Sequence, residues 1–136
     1  MSTTYKIDLN PDKDNLEEYE VADENVLEVK IRLPNGEAVK QDNYKVMLNL
    51  SPDGMIGFGT ALIRAGLKLK GKEQNSFFEH IRPILPDLAI RTMGIYMVPK
   101  SCELLVASNE FGTVEDMIQK MKADFDKNEI NNSDKA

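Results

Sequence analysis

Residues 44–69 read YKVMLNL, then SPDG, then MIGFGTALIRAGLKL. In the first part Tyr44, Val46, Leu48 and Leu50 fall on one face, and that period of two predicts a strand over 44–50. Ser51 then fits an N-cap, because its hydroxyl can accept from a free amide of the first helical turn. Pro52 suits the first helical position, where a missing N–H costs nothing. Asp53 complements the positive end of the helix. The spacing predicts a helix from Pro52 to about Lys68. Its polar stripe is narrow: Asp53, Gly57, Thr60, Arg64 and Lys68. The residues flanking that stripe are apolar or small, from Met55 and Ile56 through Leu62 and Ile63 to Leu67. A surface helix carries a wider polar face than this. Such a helix is covered on a second side by another element, a dimer mate or a partner.

Working outward, Val26–Leu33 alternates, with Leu27, Val29, Ile31 and Leu33 on one face. Pro34-Asn35-Gly36 predicts a hairpin turn, since Asn-Gly tolerates positive φ, and a short return strand follows at 37–41. Tyr5, Ile7 and Leu9 suggest a short edge strand. C-terminal to the helix, Gly71 is the stop signal. Pro83 and Pro86 exclude a regular helix through 77–86, so FFEHIRPIL reads as an irregular or edge strand. Strands are expected at 89–98 and 101–107, paired as a hairpin about Pro99-Lys100. Thr113 caps a last helix, with Val114, Met117, Ile118, Met121 and Phe125 on a single apolar face. The order predicts an α+β fold: a mostly antiparallel sheet with both helices packed on one face. One domain over 1–127 is expected, with a frayed polar tail at 128–136.

Composition narrows the function classes. The chain has 136 residues, 41% hydrophobic and 29% charged, an ordinary globular mixture. No apolar run approaches the roughly 18–20 residues that span a bilayer. The opening MSTTYKIDLN lacks the apolar core of a signal peptide, and Cys102 is the single cysteine. Both favour a reducing cytoplasm. Net charge is −6, unevenly spread. Residues 1–43 hold 11 acidic and 5 basic residues; 44–112 hold 6 and 8. An acidic chain is a poor phosphate-backbone binder and a fair match for a basic protein.

Site chemistry is sparse. One histidine, His80, and one cysteine cannot build a zinc site within one chain. No cofactor is expected. DKDNLEE starts like a calcium loop but has Leu16 where an oxygen ligand belongs and Glu17 where the glycine belongs. His80 reads as a structural or surface residue. Cys102 alternates with Leu104 and Val106 and reads as a buried core thiol. Gly54, Gly57 and Gly59 match neither phosphate-loop spacing, and Asp53 would repel a phosphate. They suit a close approach of the helix to its neighbours. The acidic run is different in kind. Asp12, Asp14, Glu17, Glu18, Glu20, Asp23 and Glu24, with Tyr19 among them, form either a solvated face or a face for a protein partner.

The unit VMLNLSPDGMIGFGTALIRAGL, followed by EHIRPILPDLAIRTMGIYMVPKSCELLVAS, resembles the layout of small bacterial immunity proteins of contact-dependent inhibition and other polymorphic toxin systems. The matching positions are Ser51 to Gly54, His80, and Ser101 to Leu104. The pattern would place a second histidine at position 82, where this chain has Arg82. The resemblance spans about residues 44–108. It implies a non-enzymatic, cytoplasmic inhibitor that binds a toxin. The acidic residues 12–24 would then lie over a basic, nuclease-like active site. Two other readings stand beside it. One is a small structural, phage or housekeeping protein that homo-oligomerises through helix 52–68. The other is a small-molecule regulator or enzyme with a site between sheet and helices.

Overall fold

Ser51 does cap the central helix. In the computed structural model, which describes residues 4–15, 17–40 and 43–133, its Oγ accepts the Gly54 N–H at 3.0 Å. Helix α1 spans Pro52–Lys70. Its stop lies one residue beyond Gly71. Gly71 keeps a helical φ of −78°, and the left-handed residue is Lys72, with φ 61°. The Glu73 N–H then closes the end on the Lys68 carbonyl at 2.9 Å. Among the described residues no helix is long and apolar enough to cross a membrane.

The fold is α+β, and the described residues form two α-helices and two small antiparallel sheets. The chain divides into two units, residues 44–109 and residues 1–43 with 110–136. The strands accordingly form two separate two-stranded ladders rather than one sheet.

In the 44–109 unit, β1 (Phe78–Ile81) pairs antiparallel with β2 (Leu104–Ala107). Ser108 closes the open end of that ladder. Its Oγ accepts the Phe77 N–H at 2.9 Å, and its own N–H donates to the Phe77 carbonyl at 2.9 Å. The expected partner of β2, residues 89–98, is broken instead by a turn at Thr92–Ile95. Met93 and Gly94 there have φ of 52° and 74°, the double positive φ of a type I′ turn. Ile81 is the fully buried hydrophobic side chain among the described residues, 1% exposed. Among the described residues, 44–50 belong to no strand or bridge, and Tyr44, Val46 and Leu48 are exposed. Alternation describes a strand's two faces but supplies no edge for it to pair with.

Helix α1 meets the 92–95 turn rather than the β1–β2 ladder. No Cα of α1 comes within 8 Å of that ladder. A Cβ built on Gly57 would stand 2.5 Å from the Gly94 carbonyl oxygen, and one on Gly94 would stand 2.5 Å from the Gly57 oxygen. Gly57, expected on the polar stripe, is therefore the contact point. Absence of side chains lets two backbones touch here.

In the other unit, β3 (Ile31–Arg32) and β4 (Ala38–Val39) form a hairpin about Pro34-Asn35-Gly36. Gly36 has φ 90°, and the Leu33 N–H donates to the Glu37 carbonyl at 2.8 Å. Helix α2 spans Val114–Ser133, so the tail expected to fray from Asn128 is helical backbone as far as Ser133. Thr113 Oγ1 accepts the Asp116 N–H at 3.1 Å, as a cap should. Leu16 and the end of the expected return strand, Gln41, lie outside the described residues.

Candidate functional site

The acidic segment is built by short-range hydrogen bonds. Asp8 Oδ1 accepts the Asn10 N–H and Asn10 Oδ1 accepts the Asp12 N–H, both at 3.0 Å. These side-chain bonds compete with strand formation, which is why 5–9 is not a strand. Lys13 then ties the segment together, 2.6 Å from Glu17 and 3.5 Å from Asp8. The Asn10 amide, with Lys13, holds the Asp8 carboxyl below its ordinary value; Glu17, with Asp8, holds the Lys13 ammonium above its own. Glu18–Glu20 form a single 3-10 turn. The Val114 N–H donates to the Asp23 carbonyl at 2.9 Å. That bond fastens the acidic segment to the N-terminus of α2, the end whose dipole favours negative charge.

The eight residues singled out here divide into two groups. Asp12, Asp14, Glu18, Glu20, Asp23 and Glu24 are exposed, and among the described residues none of these six carboxylates is ion-paired. Glu17 and Tyr19 are half-buried. Glu17 is committed to Lys13, and the Tyr19 carbonyl accepts from Asn25 Nδ2 at 2.6 Å. They hold the segment's shape. The unit that carries this segment has 18 acidic and 9 basic residues, a net −9, whereas residues 44–109 have 5 and 8, a net +3.

A second polar cluster lies on the β1–β2 hairpin. His80 lies on β1 and Arg82 follows directly after its end, two residues on and so toward the same face. The register ends with Ile81 opposite Leu104, and just beyond it Arg82 Nε comes 3.9 Å from Glu103 Oε1. His80 Nε2 is 2.8 Å from Glu103 Oε2, and Arg82 Nη2 is 3.2 Å from His80 Nδ1. A guanidinium only donates, so Nδ1 accepts, and Nε2 carries the proton and donates to Glu103. Both ring nitrogens are engaged, which leaves His80 without a lone pair for a nucleophile. Cys102 is exposed, not the buried thiol its alternation suggested. β2 begins only at Leu104, so the alternation does not extend back to position 102. Exposed Phe78 and Leu105 sit beside the cluster on the same face. Sequence reading missed Arg82 and Glu103 as a pair, because only the cross-strand register joins them. The usable signal was His80-x-Arg82 at strand spacing.

Searches for related proteins return no matching family model, no matching curated protein and no matching solved structure.

Proposed function

We propose that this chain is a non-enzymatic, cytoplasmic binding protein of the immunity type. It neutralises a toxin by laying an acidic surface over a basic active site. The observation that carries the reading is the set of six exposed carboxylates at 12–24, none of them ion-paired among the described residues. Their mutual repulsion favours association with cations, and a basic catalytic cleft supplies several at fixed positions. The local hydrogen bonds around Asn10 and Lys13 hold the segment in one shape before binding, which lowers the ordering cost on association. The Asp23 carbonyl bond to α2 adds to that anchoring.

The test is a growth assay. The protein encoded beside this chain is expressed alone, then together with it. Arrest alone and growth together are expected. Glu18→Lys with Glu20→Lys spares the Lys13–Glu17 pair, and should weaken binding to that protein about tenfold or more at low salt. A neighbour that is not toxic refutes the reading, as does rescue and salt dependence unchanged by the double reversal.

A further inference from the structure

The turn of the β3–β4 hairpin holds a reactive pair. Asn35-Gly36 is the one Asn-Gly step in the sequence. Such a step is labile, because the following backbone nitrogen can close a ring on the side-chain amide, and glycine has no side chain to shield that nitrogen. Here both residues are exposed, and a Cβ built on Gly36 would have no atom within 4 Å. Asn35 Oδ1 accepts the Glu37 N–H at 3.0 Å. That bond folds the carboxamide forward over the Gly36 peptide and polarises its carbonyl toward attack. One contact opposes the reaction. The Gly36 N–H, whose nitrogen would attack, donates to the Leu33 carbonyl at 2.8 Å. Arg32 Nη1 steadies the same residue by donating to the Gly36 carbonyl at 3.0 Å. The turn closes a ladder of only two residue pairs, Ile31 with Val39 and Arg32 with Ala38. A ladder so short and exposed opens locally at low cost.

From this geometry we propose that Asn35 is a site of spontaneous deamidation and isoaspartate formation in the folded chain, gated by the Leu33–Gly36 turn bond. When the turn opens, hydroxide removes the Gly36 amide proton and the nitrogen attacks Asn35 Cγ. The new N–Cγ bond forms as the Cγ–Nδ2 bond breaks, and Nδ2 takes a proton from water and leaves as ammonia. The product is a succinimide. Water then opens the ring at either carbonyl. Cleavage of the N–Cγ bond gives aspartate, and cleavage of the original peptide bond gives isoaspartate. The balance is one water consumed and one ammonia released, with no change of oxidation state. Aspartate keeps an acceptor for the Glu37 N–H and so keeps the turn. Isoaspartate runs the main chain through Cβ and Cγ, which shifts Gly36 away from Leu33 and Arg32 and undoes the hairpin. Either product adds one negative charge to the unit that carries the acidic segment. Asp53-Gly54 is the contrasting pair. Its glycine nitrogen donates to the Ser51 cap in the first turn of a 19-residue helix, where opening costs far more. The inference does not rest on toxin binding, since its chemistry needs only the hairpin turn and water.

Peptide mapping of the full chain tests it. The chain is incubated at mildly alkaline pH, folded or in guanidinium, then digested with trypsin and read by mass spectrometry. Arg32 and Lys40 bound the tryptic peptide LPNGEAVK at 33–40. In the folded chain this peptide should gain the mass difference between an amide and an acid before the peptide of any other asparagine does. It should also split into two products, one fragmenting as isoaspartate. The folded chain should convert about tenfold more slowly than the chain in guanidinium, since the turn bond must open first. Arg32→Gln, followed on the peptide 31–40, should speed the folded reaction about fivefold, the effect of one hydrogen bond lost from the closed turn. A peptide 33–40 that stays unchanged while another asparagine converts overturns the site. Equal rates folded and in guanidinium, or an unchanged rate in Arg32→Gln, overturn the gate.

Discussion

Gly57→Ala should destabilise the protein, although it replaces a glycine in mid-helix, where alanine normally helps. A Cβ at position 57 would lie 2.5 Å from the Gly94 carbonyl oxygen and 3.3 Å from its carbon. Ordinary contact begins near 3.4 Å, so helix and turn must part by about 0.9 Å. The obstacle is backbone, not the end of a flexible side chain. The turn is also held shut, with the Thr92 N–H on the Ile95 carbonyl at 3.0 Å and the Ile95 N–H on the Thr92 carbonyl at 3.2 Å. Overpacking of this kind costs about 1–3 kcal/mol, and the rigidity of both sides puts it at the upper end. Alanine's better helix propensity returns about 1 kcal/mol. The net loss is about 2 kcal/mol, roughly a 30-fold fall in the folded-to-unfolded ratio.

Gly59→Ala is the internal control. It sits two residues away in the same helix with open space at its Cβ, so it should gain up to about 1 kcal/mol. Gly94→Ala adds a second penalty to the clash, because its φ of 74° costs a side chain about 1–2 kcal/mol. The Gly57→Ala, Gly94→Ala double variant should lose less than the two single losses combined, since one separation of the backbones relieves both clashes. Urea denaturation followed by far-ultraviolet dichroism, at concentrations below any self-association, measures all four. Gly57→Ala and Gly59→Ala moving the midpoint in the same direction by similar amounts would refute the reasoning, because helix propensity alone would then explain both.

Lys72→Gly should stabilise the protein by about 0.5–1 kcal/mol, because a left-handed φ of 61° is natural for glycine and strained for lysine; a lower urea midpoint would contradict it. Asp8 has a folded pKa below its unfolded one, so its contribution is present above the ordinary carboxylate range and is lost as pH falls through and below it. Lys13 is raised, so its contribution is present below the ordinary lysine range and lost as pH rises past it. The Asn10 amide resonance reports the acid side directly. Its titration midpoint should fall below about 3.9, the ordinary aspartate value, and a midpoint at or above that would sink the account.

Both helices and both caps were legible because the signals are local. Ser51 and Thr113 each sit within three residues of the amide they accept. The Asn35-Gly36 turn was legible for the same reason. The partner of β2 was not, since Phe78 and Ala107 meet across a long connection whose course depends on a turn at Met93-Gly94. Met-Gly is not a strong turn pair, and the intervening AIRTMGIYMV has the composition of a strand. Gly57 was misplaced for a related reason. Periodicity sorts residues by hydropathy, and glycine has none to speak of, so its role depends on what crosses the helix rather than on the helix itself. The acidic segment was legible as charge but not as structure. Nothing in its composition separates Glu17, which holds Lys13, from Glu18 and Glu20, which face solvent.

The excess of apolar residues on α1 was the most useful of the sequence signals. Counting polar positions showed that one packed face was not enough to account for the helix. The 92–95 turn accounts for the side that carries Gly54 and Gly57. Met55, Ile56, Leu62 and Ile63 are left over after that contact is made. Burying such side chains is favourable by about 25 cal/mol per Å², so leaving them in water forgoes stabilisation that the packed side of the helix obtains.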